Sequence, residues 1–397
     1  MTVDRDLDAV AAGISAESLH AAGHLKWTLF GPGKLGAFVA EMDFGTAPAV
    51  TAALREAVER MQFGYLPAAL AAAMQEACAA WQRDVHGWSI DAAAIRPLPD
   101  VLKALEIAVA HCSRAGSPVI LPTPAYMPFL AVPGHLGRET IQIEMVRDGD
   151  RHVYDLDALD RAFAQGGGLL VLCNPHNPLG RVMERAELDA IAAVVDRHGG
   201  RVFADEIHAP LVYPGHRHVP YASLSDVTAA HTITATSASK AWNLAGLKCA
   251  QLILTSAVDV AAVDALEPFV TNGASTLGVI ANTVAFTAGR PWLDEVVAYL
   301  DGNRRLLAEL LAAHLPDVGY TPPEGTYLAW LDCRALDLPV AIADFFTDEA
   351  DVVVVDGARC GPPGVGFVRL NIATTSSLLE QMVEQMAAAV RRRSVYS

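Results

Sequence analysis

Lys240 sits where covalent chemistry is possible. In Thr234-Ala-Thr-Ser-Ala-Ser-Lys-Ala-Trp-Asn-Leu-Ala-Gly-Leu-Lys248 it follows an apolar run and lies in a nest of small residues. Ser237 and Ser239 flank it on one side and Gly246 on the other, which leaves room for something flat and phosphorylated. An amine placed in this way can act both as a covalent catalyst and as a general base. We read Lys240 as the residue that carries pyridoxal 5'-phosphate as a Schiff base.

Such a cofactor needs an acid, phosphate donors and a ring clamp. Asp205 ends the apolar strand Arg201-Val-Phe-Ala-Asp205. A carboxylate facing the pyridine nitrogen keeps it protonated and makes the ring an electron sink, although a strand-terminal Asp also serves as an ordinary cap. Asn177 can donate to the phenolic oxygen O3'. Ser237, Ser239 and Lys248 can bind phosphate, the lysine as a point charge without the bidentate grip of an arginine. Tyr126 can stack on the ring or fill a core. Arg369 lies between Val368 and Leu370, where a guanidinium is costly to bury unless paired. A substrate α-carboxylate, held bidentately, is an apt partner; an internal salt bridge is the alternative. The turn Pro99-Asp-Val101 opens a helix and is a candidate anion site, because a helix N-terminus presents unpaired N–H groups. The histidines complete no metal-ligand set.

The elements that position these groups are strands alternating with helices. Val119–Thr123, Leu169–Cys173 and Arg201–Asp205 read as apolar strands. A helix with Leu188, Ile191 and Val195 on one face lies between the last two. This alternation predicts βαβ units and a mostly parallel sheet. The candidate residues fall at carboxyl ends of strands, where open α/β sheets bind ligands. Further expectations are an amphipathic helix over 4–22, a strand over 37–40, helices from Pro48 and over 68–82, and smaller-domain strands at 325–331, 351–355 and 366–372.

Length and charge narrow the function. At 397 residues two domains are expected, at about 100–200 residues each. A net charge of −16 argues against nucleic acid or an anionic membrane as partner. An anionic ligand then needs a local cationic site. The six cysteines show no C-x-x-C spacing, which fits thiols in a reducing compartment. The first residues lack the features of a signal peptide, and the Ala-rich 68–81 stretch is too short to span a bilayer. A cytoplasmic protein is expected.

Several stretches together resemble the fold-type I PLP enzymes, and among them the MalY/PatB-type C–S β-lyases. They are Lys26-Trp27, Ala40-Glu-Met-Asp-Phe44, Phe63-Gly-Tyr65, Cys173-Asn-Pro-His-Asn-Pro-Leu-Gly-Arg181, Asp205-Glu-Ile-His208, Pro214-Gly-His216, Ser237-Ala-Ser-Lys-Ala-Trp-Asn-Leu-Ala-Gly-Leu-Lys248, Gly325-Thr-Tyr-Leu-Ala-Trp-Leu-Asp332 and Phe367-Val-Arg-Leu-Asn371. The resemblance implies an α/β fold with an arm over 1–44, a large PLP-binding domain over 45–285 and a smaller α/β domain over 286–397. It implies a homodimer with shared active sites, in which Tyr65 reaches the neighbouring subunit's cofactor and substrate. Lys240, Asp205 and Tyr126 would be catalytic. Asn177, His208, Ser237, Ser239, Lys248, Tyr65 and Val101 would also hold cofactor, and Arg369 and Asp43 would bind substrate. Three positions depart from the pattern: Glu41 replaces an Asp, Pro99-Asp-Val101 replaces a Gly-containing phosphate turn, and Arg359-Cys-Gly361 replaces a Gly-rich approach to the carboxylate strand.

The implied reaction is β-elimination from cystathionine or another S-substituted cysteine. Lys240 removes the Cα proton, the Cβ–S bond breaks, and thiol, pyruvate and ammonia result. The same constellation supports transamination. A regulatory binding protein of the MalY type is the third possibility.

Overall fold

Apolar five-residue runs become the strands of a central sheet. The computed structural model describes residues 7–338 and 341–394. Within them, seven strands lie in the order Ile95–Leu98, Ala250–Leu254, Thr232–Thr236, Arg201–Asp205, Leu169–Cys173, Val119–Thr123, Thr140–Glu144. Ala250–Leu254 runs antiparallel to both neighbours and the other pairings are parallel. Strands covered on both faces read as continuous apolar runs. Leu169–Cys173 shows why: Leu169 and Val171 pack with Leu105 and Val109 on one face, and Leu170 and Leu172 pack with Leu188 and Ile191 on the other, following the two-residue period of a strand.

Register aligns the functional ends. Cys173 lies opposite Asp205, and Asp205 opposite Ala235. The loops that begin at Asn174, Glu206 and Ser237 therefore leave the sheet side by side.

Beyond the 25-residue helix Arg290–His314, a second, antiparallel sheet has the order Gly319–Tyr320, Leu328–Asp332, Phe367–Asn371, Val355–Asp356. The helix Ser376–Ser394 follows.

Three local expectations are corrected. The helix expected over 4–22 is two helices, Leu7–Ala12 and Ala16–Ala22, the second capped by the Ser15 hydroxyl; residues 4–6 lie outside the described residues. The strand expected over 37–40 is instead Leu35–Gly36, which pairs with Val352–Val353. The apolar run 351–355 divides between two sheets, because Val355 pairs with Arg369.

Residues 38–42 form no ladder because side chains take their carbonyls one by one. Arg369 Nη2 donates to Phe38 O (2.9 Å) and Asn371 Nδ2 to Val39 O and Glu41 O (both 2.7 Å). Ala40 O accepts from Lys240 Nζ (3.1 Å) and Tyr327 OH (3.0 Å). Asn243 bonds both the N–H and the C=O of Met42 at 2.9 Å. The segment is thus strung between the two sheets.

A buried ion pair anchors its far end. Lys26 Nζ lies 2.8 Å from Asp43 Oδ2, with side chains 1% and 3% exposed. Trp27 Nε1 donates to Asp43 Oδ1 (2.8 Å) and Lys26 Nζ to Ala373 O (3.2 Å). Removing one member of such a pair strands the other charge, a cost of about 3–5 kcal/mol. Lys26→Met should lower stability in urea by that amount, and Lys26→Met/Asp43→Leu should recover much of the loss. A loss below about 1 kcal/mol, the scale of a surface pair, would contradict this account of the anchor.

Candidate active site

The loops leaving the aligned strand ends meet at a cavity of about 450 Å³, within the size range of small-molecule sites. Lys240, Asp205, Asn177, Tyr126 and Arg369 all line it, as do His208, Ser239, Lys248 and Val101.

Lys240 and Asp205 have opposite electrostatic problems. Burial, and after it the nearby Arg369 charge, draw the Lys240 amine down to about 8, with Glu41 and Asp205 partly opposing them. Burial pushes the Asp205 carboxyl up to about 6, with Glu206 adding to the effect. Two donors pull it back: Ile207 N–H on Oδ1 (3.1 Å) and the Cys173 thiol, 3.7 Å from Oδ2. Burial also takes the His208 imidazole down to about 3, helped by Lys240 and Arg369, so it is neutral near pH 7. Burial raises the Tyr126 hydroxyl; its ring meets Phe129 edge-on at 5.3 Å.

Arg369 is buried without a carboxylate in contact. Its Nη1 donates to Asn177 Oδ1 (2.9 Å) and its Nη2 to Phe38 O (2.9 Å), and its Nε has no partner. Both bonds fix the guanidinium, which remains an uncompensated cation. Because Asn177 Oδ1 is engaged by Arg369, the NH₂ of that amide is left as the donor for a ligand. The loop that carries Asn177 turns at Gly180 (φ +69°), where a Cβ would meet Pro323 Cβ at 2.3 Å.

The opposite end of the cavity contains Ser239, Lys248 and the first turn of the helix Val101–His111. Asp100 does not leave this end bare. Its Oδ1 caps the helix by accepting from Lys103 N–H (2.9 Å), and its Oδ2 pairs with Lys248 Nζ (3.0 Å).

Three expected residues lie elsewhere. Ser237 donates its hydroxyl to Cys249 O (2.6 Å) and accepts from Ser239 N–H (3.0 Å), so that hydroxyl shapes the turn. Asp43, expected to bind substrate, is not in the cavity lining, and its carboxylate is held by Lys26 and Trp27. Tyr65 is fully exposed, in a shallow apolar depression with Phe63 and Phe269. Sequence reasoning missed the Ala40 carbonyl under Lys240, the Cys173 thiol beside Asp205, and the Leu29, Phe30 and Phe38 side chains at the cavity wall. The thiol alone had a readable signal, as the strand end that pairs with Asp205.

The model of the family "Aminotransferase class I and II" matches residues 36–386. The chain belongs to this family. Among its relatives, the cystathionine beta-lyase of Corynebacterium glutamicum is 38% identical over 371 residues, covering 92% of this chain and 96% of that protein. A crystal structure from Corynebacterium diphtheriae, described as a PLP-dependent beta-cystathionase, has a TM-score of 0.90 at 40% identity and covers 95% of this chain and 98% of that one. Cystalysin from Treponema denticola, whose crystal structure contains pyridoxal 5'-phosphate, has a TM-score of 0.88 at 28% identity, with 96% and 98% covered.

The residues present fit that group. Two buried nitrogens in the wall, Arg369 Nε and His208 Nδ1, lack partners. An amine of lowered basicity shares the cavity with a carboxylate, an aromatic ring and cations. Only a neutral amine attacks an aldehyde. Capture of pyridoxal phosphate by cofactor-free protein, trapped by borohydride, should therefore rise with pH through a midpoint near 8. A midpoint near the ordinary lysine value of 10.5 would contradict the enclosed-amine account.

Proposed function

We propose that the protein is a pyridoxal-phosphate-dependent carbon–sulfur β-lyase that cleaves cystathionine or another S-substituted cysteine to thiol, pyruvate and ammonia. One observation carries the reading: a low-basicity amine, a strand-end carboxylate and a carboxylate-free arginine share one cavity. The names of the most similar relatives supply the carbon–sulfur specificity.

When bound, pyridoxal phosphate supplies an electron sink that allows negative charge to develop at the substrate Cα. Arg369 holds the substrate α-carboxylate and so orients the Cα–H bond. Asp205, ionised above about pH 6, would pair with the ring nitrogen, and the Asn177 NH₂ would donate to the phenolic oxygen. Tyr126 would cover the ring. Ser239, Lys248 and the backbone at Val101 would hold the phosphate, with His208 as a neutral ring in the wall. Lys240 takes the Cα proton as a neutral amine and, once charged, can protonate the departing sulfur. The three-carbon fragment then hydrolyses to pyruvate and ammonia.

We further infer a homodimer, with Tyr65 reaching the neighbouring cavity. Exposed Met61, Phe63, Tyr65 and Phe269 support this, since an apolar patch of that kind marks an interaction surface. The chain divides in this reading into an arm over 1–44, a cofactor domain over 45–285 and a small domain over 286–397. Among the described residues no helix is long and apolar enough to cross a membrane, and we place the enzyme in the cytoplasm.

The family's name keeps transamination as the second reading. Incubation of the holoenzyme with cystathionine should release thiol, pyruvate and ammonia together, and Lys240→Ala should lower that rate by about 10²–10⁴, the usual contribution of a proton-transfer group. Keto-acid-dependent formation of a new amino acid, with no thiol released, would replace the lyase reading with the aminotransferase one.

A further inference from the structure

We propose that Arg359 binds a carboxylate at the far end of the substrate's sulfur substituent, so that the enzyme selects cysteine conjugates whose leaving thiol is itself anionic. The inference rests on the lyase reading and deepens it.

Arg359 stands on the short helical turn Gly357–Cys360. The turn is well anchored. Asp356 Oδ1 accepts from Ala358 N–H (3.0 Å), and Ala125 N–H, next to Tyr126, donates to Cys360 O (2.8 Å). Cys360 is buried, its Sγ 3.8 Å from Met127 Sδ. From this base the exposed Arg359 side chain lines the same cavity as Arg369. Among the described residues no acid pairs with it; the Asp356 carboxylate is engaged by the turn. Its charge opposes that of Arg369, so two guanidinium groups line one cavity, and neither is in an ion pair with a protein carboxylate among the described residues. Like charges so placed are relieved by anions from outside.

Arg369 is fixed deep in the cavity by Asn177 and Phe38 O and suits the α-carboxylate. Arg359 is exposed where Arg369 is buried. Met127, which touches Cys360, and Val355, four residues before Arg359, line the same cavity, as do the exposed apolar side chains Leu29 and Phe30. An apolar stretch that ends in a cation matches a methylene stem that ends in a carboxylate. In a chain of net charge −16, such a cation also supplies local attraction that the molecule as a whole does not.

The test uses holoenzyme and two ligands that lack a leaving group, α-aminopimelate and its counterpart without the distal carboxylate, α-aminoheptanoate, with binding read by titration calorimetry. Wild type should bind the dicarboxylate about fivefold tighter, the scale of one partly exposed ion pair. Arg359→Gln should erase that ratio and Arg359→Lys should keep part of it. Equal binding by wild type, or a ratio untouched in Arg359→Gln, overturns the assignment. Thiol release from S-carboxyethyl-cysteine, measured in parallel, separates the two claims. A binding preference that follows Arg359 without any thiol release supports the anion site and overturns the lyase reading alone.

Discussion

An amine enclosed beside a guanidinium is the constraint on which the rest of the structure depends. Lys240 tends to lose its proton because burial and Arg369 both oppose its charge. It is held in place by one backbone acceptor, Ala40 O. That carbonyl is available because residues 38–42 are kept out of any strand by Arg369, Asn371, Asn243 and Tyr327. The Lys26–Asp43 pair ties down the end of the same segment. Chemistry at Lys240 and the joining of the two sheets therefore rest on the same short stretch of backbone.

The acid–base balance follows from that enclosure. Asp205 is drawn up to about 6 and Lys240 down to about 8. Between these values the carboxylate is ionised and the amine exchanges its proton at little cost. A base poised near the working pH is the efficient choice for proton transfer. His208, neutral near pH 7 because its imidazole is drawn down to about 3, adds bulk without a further positive charge. The remaining cations differ in their partners: Lys248 is tempered by Asp100, whereas Arg369 and Arg359, for which we propose carboxylate ligands, are in no ion pair with a protein carboxylate among the described residues. A strongly acidic chain thus keeps a cationic interior site.

Much of this was legible in the residues, for identifiable reasons. Lys240 stood out for its small neighbours, Asp205 and Asn177 for following apolar strands, and Arg369 for being a charge inside one. Each signal is local, and parallel register brings them together at one edge. What stayed illegible depended on distant partners. Asp43 reads as a free acid until the fold brings Lys26 and Trp27 against it. The apolar residues 37–40 read as a strand, yet their carbonyls are claimed by side chains from positions near 240, 327 and 370. The valine run near 352 reads as one strand and serves two sheets. Ser237 reads as a phosphate donor because hydroxyls favour that role; in the fold its hydroxyl donates to the Cys249 carbonyl.

The central claim is that Lys240 is the group that moves the substrate Cα proton. The most direct measurement is chemical rescue. Lys240→Ala holoenzyme, given a Cα-deuterated S-substituted cysteine and a series of small primary amines, should release deuterium to solvent far faster with amine than without, at a rate that climbs with the basicity of the amine. Deuterium release at the wild-type rate with no amine added would contradict the account, because another group would then be doing the work assigned to Lys240.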